Sequence, residues 1–239
     1  MQAPPFSDDR PSLSPALKRL RTALVIVGVG ILLAAVGAVF WYQDVRYSLP
    51  TPRPATLVAL DNGQSVTLPG SFAPAADGRP LFLHFFNPDC PCSRFNADHV
   101  RSLRERFGRE VRFVAVVQVG QDQDAEALQR NLAATARLFG SEMEAVMDDG
   151  GKIAAACGVY STPQAVILAP EARRTLLFRG NYNSSRYCVD PQTEFARLAL
   201  EAVVGHREPP PESRDAMVAY GCELPANVAA VKIDPRGKR

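Results

Sequence analysis

Residues Leu81–Asn96 constrain this chain more than any other stretch. Leu81-Phe82-Leu83-His84-Phe85-Phe86 is an almost unbroken apolar run, the pattern of a strand covered on both faces. Asn87-Pro88-Asp89-Cys90-Pro91-Cys92 then breaks it with turn-forming residues and two cysteines. Downstream, Phe95, Val100, Leu103 and Phe107 recur at near-helical spacing, with Arg101, Arg104, Glu105 and Arg106 left for the wet side. A buried strand, a sharp turn and a helix start are therefore expected here. A thiol in such a turn sits beside unpaired helix N–H groups and the positive end of the helix dipole, which favour thiolate over thiol. The stretch reads as a reactive cysteine site.

The composition narrows what surrounds that site. The chain has 239 residues, 46% of them hydrophobic and 22% charged, which excludes a disordered chain and a many-span membrane protein. A net charge of +2 with no aromatics interleaved among the arginines gives no footprint for nucleic acid. Thr22–Tyr42 runs 21 residues without a charge and closes on Phe40-Trp41-Tyr42. That length crosses the hydrocarbon core as a helix, and the aromatic trio suits an interface. The run is long for a signal peptide, although Ala34–Ala38 keeps cleavage open as an alternative. Lys18, Arg19 and Arg21 on its N-terminal side place the N-terminus inside and the rest outside. All five cysteines follow residue 89, so the exported part carries them, as an oxidising compartment allows.

Five segments are expected: a cytoplasmic tail at 1–21, a transmembrane helix at 22–42, a Pro-rich spacer at 43–55, a folded domain at 56–205 and a C-terminal extension at 206–239. Within the domain, Thr56–Leu60 and Ser65–Leu68 bracket the turn signal Asp61-Asn62-Gly63. Val111–Val119 and Gln164–Leu168 read as strands, and Thr175–Phe178 as another. Asp124–Phe139, Lys152–Cys157 and Pro191–Val204 read as helices. Strands alternating with helices argue for an α/β layer fold. Asp148 and Asp149 beside Gly150-Gly151 read as a turn and helix cap rather than a catalytic carboxylate pair. Ala216–Leu224 reads as one more short element before a basic, mobile tail.

Three motifs carry a resemblance to the thioredoxin superfamily. Phe85–Cys90 resembles that family's strand-to-active-site turn. Val159-Tyr160-Ser161-Thr162-Pro163-Gln164 resembles the segment with its cis-proline, and Asp148–Val159 is similar to the helix before that proline. The resemblance covers roughly residues 56 to 204 in element order. It implies a thioredoxin-like three-layer α/β fold with a central mixed sheet, preceded here by one transmembrane helix. It also implies Cys90 as the attacking thiol and Pro163 as the cis-proline, with Thr162 beside it offering main-chain hydrogen bonds to a substrate. The family spacing is Cys-x-x-Cys, whereas this chain has Cys-x-Cys, with Ser93 where the second family cysteine falls. Either Cys90 and Cys92 form a small dithiol ring, the arrangement carried forward, or Cys90 works alone in a Cys-x-x-Ser arrangement. Peroxidase chemistry is disfavoured, because Pro88 lies only two residues before Cys90 and no Thr is near.

The chain is also similar to a family of membrane-anchored bacterial thioredoxin-like proteins carrying Cys-Pro-Cys-Ser, Asn-Tyr-Asn-x-x-Arg-Tyr-Cys and Tyr-Gly-Cys-x-Leu-Pro. The matching residues are Cys90–Ser93, Asn181–Cys188 and Tyr220–Pro225. In that resemblance Cys188 and Cys222 are read as a disulfide pinning the tail. The alternative, Cys188 resolving Cys90, stays open. Cys157 and His84 read as core residues. Asp89 next to Cys90 opposes thiolate formation.

The function expected is thiol–disulfide exchange with a protein partner, by a domain facing the periplasm from a single span in the bacterial inner membrane. No cofactor is expected, since no Gly-rich phosphate loop or Ser-His-Asp set is present. Two readings of other classes stand beside it. One is a copper-handling module using Cys90, Cys92 and His99, since thiolates and imidazole suit copper(I). The other is a scaffold whose cysteines are all structural. Oligomeric state is not legible.

Overall fold

The structure is a computed structural model; it describes residues 14–45, 49–55, 57, 60–69, 72, 78–120, 124–171, 174–184, 190–210 and 213–225. Cys188, the basic tail at 226–239, most of the expected strand Thr56–Leu60 and the first thirteen residues lie outside them. The chain divides into two compact units, 1–46 and 47–239.

The first unit is one long helix, α1 (Pro15–Phe40), continued by a π-helical turn at Trp41–Val45. Ser14 caps it by accepting a hydrogen bond from the Leu17 N–H, and Pro15 occupies the first turn, where its missing N–H costs nothing. None of its residues is buried. A helix of this length and apolarity is long enough to cross a membrane.

The second unit is a mixed sheet between two apolar layers. Its strands are β1 (Ser65–Val66), β2 (Leu81–Phe86), β3 (Arg112–Gln118), β4 (Glu144–Asp148), β6 (Gln164–Leu168) and β7 (Arg174–Gly180), in spatial order β1-β7-β6-β2-β3-β4. β2, β3 and β4 run parallel, whereas β6 and β7 are antiparallel to their neighbours. A separate two-stranded ribbon joins β5 (Ser161–Thr162) to β8 (Cys222–Glu223).

The alternation of side chains along β2 divides the core. Phe82 and Phe86 face a cluster with Phe113 and Val117 of β3. Three helices close that side: α3 (Ala97–Phe107), α4 (Ala125–Phe139) and α6 (Phe195–Val204). Leu81, Leu83 and Phe85 face the opposite cluster, with Val114, Val116, Val166 and α5 (Lys152–Cys157). Every residue of β2 is buried, as its unbroken apolar run required. Asp148 closes β4 and starts α5. Its carboxylate accepts from the Ile153 and Ala154 N–H groups at 2.8 Å each, and from Gln118 Nε2 at 2.8 Å. The capping role expected of it is what it performs. This is the thioredoxin-like three-layer α/β fold.

Some elements differ from expectation. Ser65–Val66 pairs with β7, and the Gly63 N–H in the turn before it donates to Leu176 O at 2.8 Å; most of Thr56–Leu60, the strand expected before that turn, lies outside the described residues. Glu144–Asp148, which no sequence expectation assigned to a strand, completes the parallel edge. The stiff spacer is not free of the domain. Thr51 is buried, its N–H donates to Ala219 O at 2.8 Å, and Pro50 bridges to Tyr220.

His84 lies in the first cluster, stacked on Phe86 with ring centroids 5.3 Å apart, its Nδ1 2.6 Å from the Tyr182 hydroxyl. Burial lowers its pKa from 6.5 to about 3. The folded chain thus refuses a proton that the unfolded chain takes up below pH 6.5. Stability is full above that pH and falls as pH drops toward 3. Unfolding free energy measured by denaturant titration should fall about 2–3 kcal/mol from pH 6.5 to pH 4.5 through this group. A His84→Leu variant should show a correspondingly flatter profile; an unchanged slope would refute the assignment.

Candidate active site

The cysteine turn forms at the C-terminal end of β2. Asn87 Oδ1 accepts from the Asp89 N–H at 2.8 Å and Asn87 O accepts from the Cys90 N–H at 3.0 Å, which folds the chain back in one step. Cys90 becomes the N-cap of α2 (Pro91–Phe95), with Pro91 at its first position. Ser93, at the second family position, is buried, and its Oγ accepts from the Asn87 N–H at 3.3 Å. It fastens the turn rather than supplying a thiol. The helix expected to run unbroken from here is interrupted at Asn96, where α2 ends and α3 begins.

Cys90 is joined to Cys222 by a disulfide, with Cα atoms 6.1 Å apart and a sequence separation of 132. Two expectations are corrected. Cys90 is not paired with Cys92, and Cys222 is not paired with Cys188. The geometry gives the reason. The pairing of β5 with β8 brings Cys222 directly opposite Thr162, whose carbonyl oxygen lies 3.6 Å from Cys90 Sγ. Cys92 stays close all the same: the three sulfurs of Cys90, Cys92 and Cys222 lie within 4.8 Å of one another, and Cys90 and Cys92 are both buried.

The Thr162–Pro163 peptide bond is cis, as the resemblance implied. The Thr162 carbonyl oxygen lies 3.6 Å from Cys90 Sγ. A sulfur in a disulfide has no proton to give, so this is a contact; a reduced Cys90 thiol could donate to that oxygen. Thr162, Pro163, Cys90, Cys92 and Cys222 thus form one constellation. Ser161 supports it: its Oγ donates to Cys222 O at 3.1 Å and sits 2.9 Å from Thr51 Oγ1.

Residues 59–223 match the model of a family described as a domain of unknown function, DUF6436. The chain belongs to the DUF6436 family. No curated protein matches the sequence. Among solved structures it is similar to a hypothetical protein, SMc02350, from Sinorhizobium meliloti 1021. That match has 20% identity and a TM-score of 0.55, covering 70% of this chain and 96% of that one. An uncharacterized conserved protein from Geobacillus kaustophilus matches at 21% identity and TM-score 0.52, over 62% and 77% of the two chains. A secreted Mycobacterium tuberculosis disulfide oxidoreductase homologous to E. coli DsbE matches at 19% identity, over 54% and 82%. Its TM-score of 0.35 is too low to carry weight. These likenesses show the fold.

In this DUF6436 chain the polar insert after β7 holds the C-terminal segment. Asn181 N–H donates to Ala216 O at 2.8 Å, and its Nδ2 donates to Asp215 O at 2.8 Å and Val218 O at 2.7 Å. These carbonyls belong to and follow α7 (Arg214–Met217). The Tyr220 hydroxyl donates to Asn183 O, and the Ala219 N–H donates to the Tyr160 hydroxyl at 3.3 Å. Asn181, Asn183 and Tyr220 tie the C-terminal segment to the domain, a role not expected from the sequence. Their motifs were visible, but not their pairing across the fold.

The other candidates fall away from the sulfurs. His99 packs edge-on against Tyr182, ring centroids 5.9 Å apart, and is not in the group of close soft donors. The third donor beside Cys90 and Cys92 is Cys222 instead. Burial lowers the His99 pKa, with Glu194 and Arg197 acting in opposite directions. Cys157 is fully buried on the opposite face; burial and then the Asp148 carboxylate push its thiol up, with Arg179 opposing. It is an inert core thiol. Asp89 is exposed, so water screens its effect on Cys90.

Peptide mapping of the unreduced chain should recover a Cys90–Cys222 cross-link. Asn181→Ala removes two side-chain hydrogen bonds and leaves the part-buried carbonyls of Asp215 and Val218 without them, a loss of about 1–2 kcal/mol. Amide exchange in residues 214–223 should rise accordingly. Recovery of a Cys90–Cys92 link alone would overturn the pairing.

Proposed function

We propose that the chain is a membrane-anchored thiol–disulfide oxidoreductase acting on protein partners through Cys90, with Cys92 and Cys222 as alternative resolving thiols. The observation that carries this reading is the Cys90–Cys222 disulfide at the cis-proline with the Cys92 sulfur within 4.8 Å of both its atoms. A purely structural disulfide has no use for a third thiol beside it, whereas exchange proceeds by attack of a thiolate on a disulfide sulfur, which the nearby Cys92 can supply.

The chemistry balances without a cofactor. In the reduced chain, the Cys90 thiolate attacks one sulfur of a partner disulfide, and the other partner sulfur leaves and takes a proton. Cys92 or Cys222, giving up its own proton, then attacks Cys90 Sγ and frees the first partner sulfur as a thiol. The chain ends with one disulfide more and the partner with one fewer. Run backwards, the same steps oxidise a partner dithiol. Between these steps the chain can exchange internally: the Cys92 thiolate attacks Cys90 Sγ, a Cys90–Cys92 bond forms, and Cys222 leaves as a thiol. The helix N-terminus at Cys90 and the Thr162 carbonyl are the groups that set its protonation.

The helix α1 serves as the anchor. Lys18, Arg19 and Arg21 on its N-terminal side support a cytoplasmic N-terminus with the domain on the far side, the periplasm on this reading. A second reading, a soft-metal site, is favoured by one observation: reduction would leave three thiolates converging within 4.8 Å, a donor set suited to copper(I).

Thiol trapping of the full-length chain across a graded glutathione buffer separates these readings. One disulfide should titrate within the range of cellular oxidoreductases and disappear in Cys90→Ser. In Cys222→Ser a Cys90–Cys92 disulfide should replace it. If Cys90 pairs at every poise and resists reduction throughout, the cysteines are structural. If Cys90 never pairs, exchange is refuted. Tight copper(I) binding by the reduced chain, lost in Cys222→Ser and kept in His99→Ala, would then establish the metal reading.

A further inference from the structure

The extended segment at Tyr220–Glu223 occupies the groove beside the cis-proline as a polypeptide partner would. It runs antiparallel to β5, with Cys222 opposite Thr162 and Glu223 opposite Ser161. It places a sulfur on Cys90. It gains main-chain pairing from one side and a Ser161 hydroxyl donated to Cys222 O at 3.1 Å. Strand addition of this kind supplies affinity through the backbone, and side-chain fit supplies selectivity.

The selectivity is written at Gly221. Its φ is +129°, a conformation that side chains rarely adopt, and a Cβ built there would stand 2.3 Å from the Thr162 carbonyl oxygen and 3.6 Å from Pro163 Cδ. The obstacle is backbone, fixed by the β5–β8 pairing, so it cannot rotate aside. The residue preceding the reacting cysteine must therefore lack a Cβ. Thr162 Oγ1 is buried and makes no hydrogen bond among the described residues, so the segment does not satisfy every polar group of the groove.

Resting on the exchange reading above, we infer that Tyr220–Glu223 is a tethered stand-in for substrate. The groove takes extended polypeptide partners whose reactive cysteine directly follows a glycine, docked antiparallel on Ser161–Thr162 in competition with the chain's own segment. The competition is weighted toward the tether, because an attached segment acts at high effective concentration. The internal exchange through Cys92 removes the covalent fastening and leaves only strand pairing to be displaced. A partner with glycine before its cysteine can take the same register; one with any other residue there meets the Thr162 carbonyl.

The test uses the reduced full-length chain in detergent, carrying Cys92→Ser and Cys222→Ser so that adducts on Cys90 persist. Two symmetrical peptide disulfides are offered, the dimer of Tyr-Gly-Cys-Glu-Leu and the dimer of Tyr-Ala-Cys-Glu-Leu. Cys90 attack on either breaks the peptide S–S bond, forms one mixed disulfide and releases one peptide thiol. Rates are normalised to those of each dimer with glutathione. The glycine peptide should form the adduct at least about tenfold faster, since forcing a methyl into a packed contact costs one decade or more. Adding Gly221→Ala to the chain should eject the competitor and raise the glycine-peptide rate severalfold. Equal normalised rates for the two peptides would overturn the selectivity while leaving exchange intact. An unchanged rate in the Gly221→Ala chain would overturn the stand-in. No adduct with either dimer would overturn the exchange reading and this inference with it.

Discussion

The antiparallel pairing of Thr162 with Cys222 is the constraint on which the rest of the site depends. It brings a residue from near the C-terminus to a turn that closes β2, across a separation of 132 residues. Closing so long a loop covalently stabilises the folded chain by constraining the unfolded one, by about 4–5 kcal/mol on chain entropy. The same closure is prepared without the covalent bond. Asn181 holds α7 and the residue after it, Asn183 holds Tyr220, and Thr51 holds Ala219. Whatever stabilises these contacts raises the effective concentration of Cys222 at Cys90. By linkage, the disulfide stabilises the contacts to the same extent. The redox state of the site and the order of the C-terminal segment are one equilibrium.

That coupling explains why so much polar chemistry is concentrated at 181–184. A final helix could have followed β7 directly. Instead, Asn181 lies buried beside the end of β7, with all three of its donor bonds directed at main-chain carbonyls of the C-terminal segment. Side-chain amides suit this, because they meet backbone groups that have left regular structure and would otherwise be orphaned. Gly180 completes the fit: a Cβ there would stand 2.5 Å from the Ala216 carbonyl oxygen. The strand and the C-terminal helix can approach this closely only with glycine between them.

How much of this was legible in the sequence divides by range. The strand Leu81–Phe86, the helix Lys152–Cys157 and the cap at Asp148 were readable because each rests on local pattern: an apolar run, helical spacing, or a carboxylate before Gly-Gly. The cis-proline at Pro163 came from family likeness rather than from spacing. The partner of Cys90 was not readable, since connectivity among several cysteines is not fixed by sequence. The strands that decide it are two residues each, too short for alternation to register. The strand at Ser65–Val66 was readable but its partner was not, for a related reason. The turn signal before it was genuine, but the partner strand was β7, more than a hundred residues away.

One carbonyl draws these threads together. The Thr162 oxygen lies against Cys90 Sγ, and it forbids a side chain at position 221. In the oxidised chain it meets a sulfur with no proton to share; in the reduced chain a Cys90 thiol could donate to it. Reduction therefore does more than break the link to Cys222. It changes what Cys90 can offer to the very group that gauges the incoming strand. On the proposed reading, the atom that touches the attacking sulfur is also the one that limits position 221.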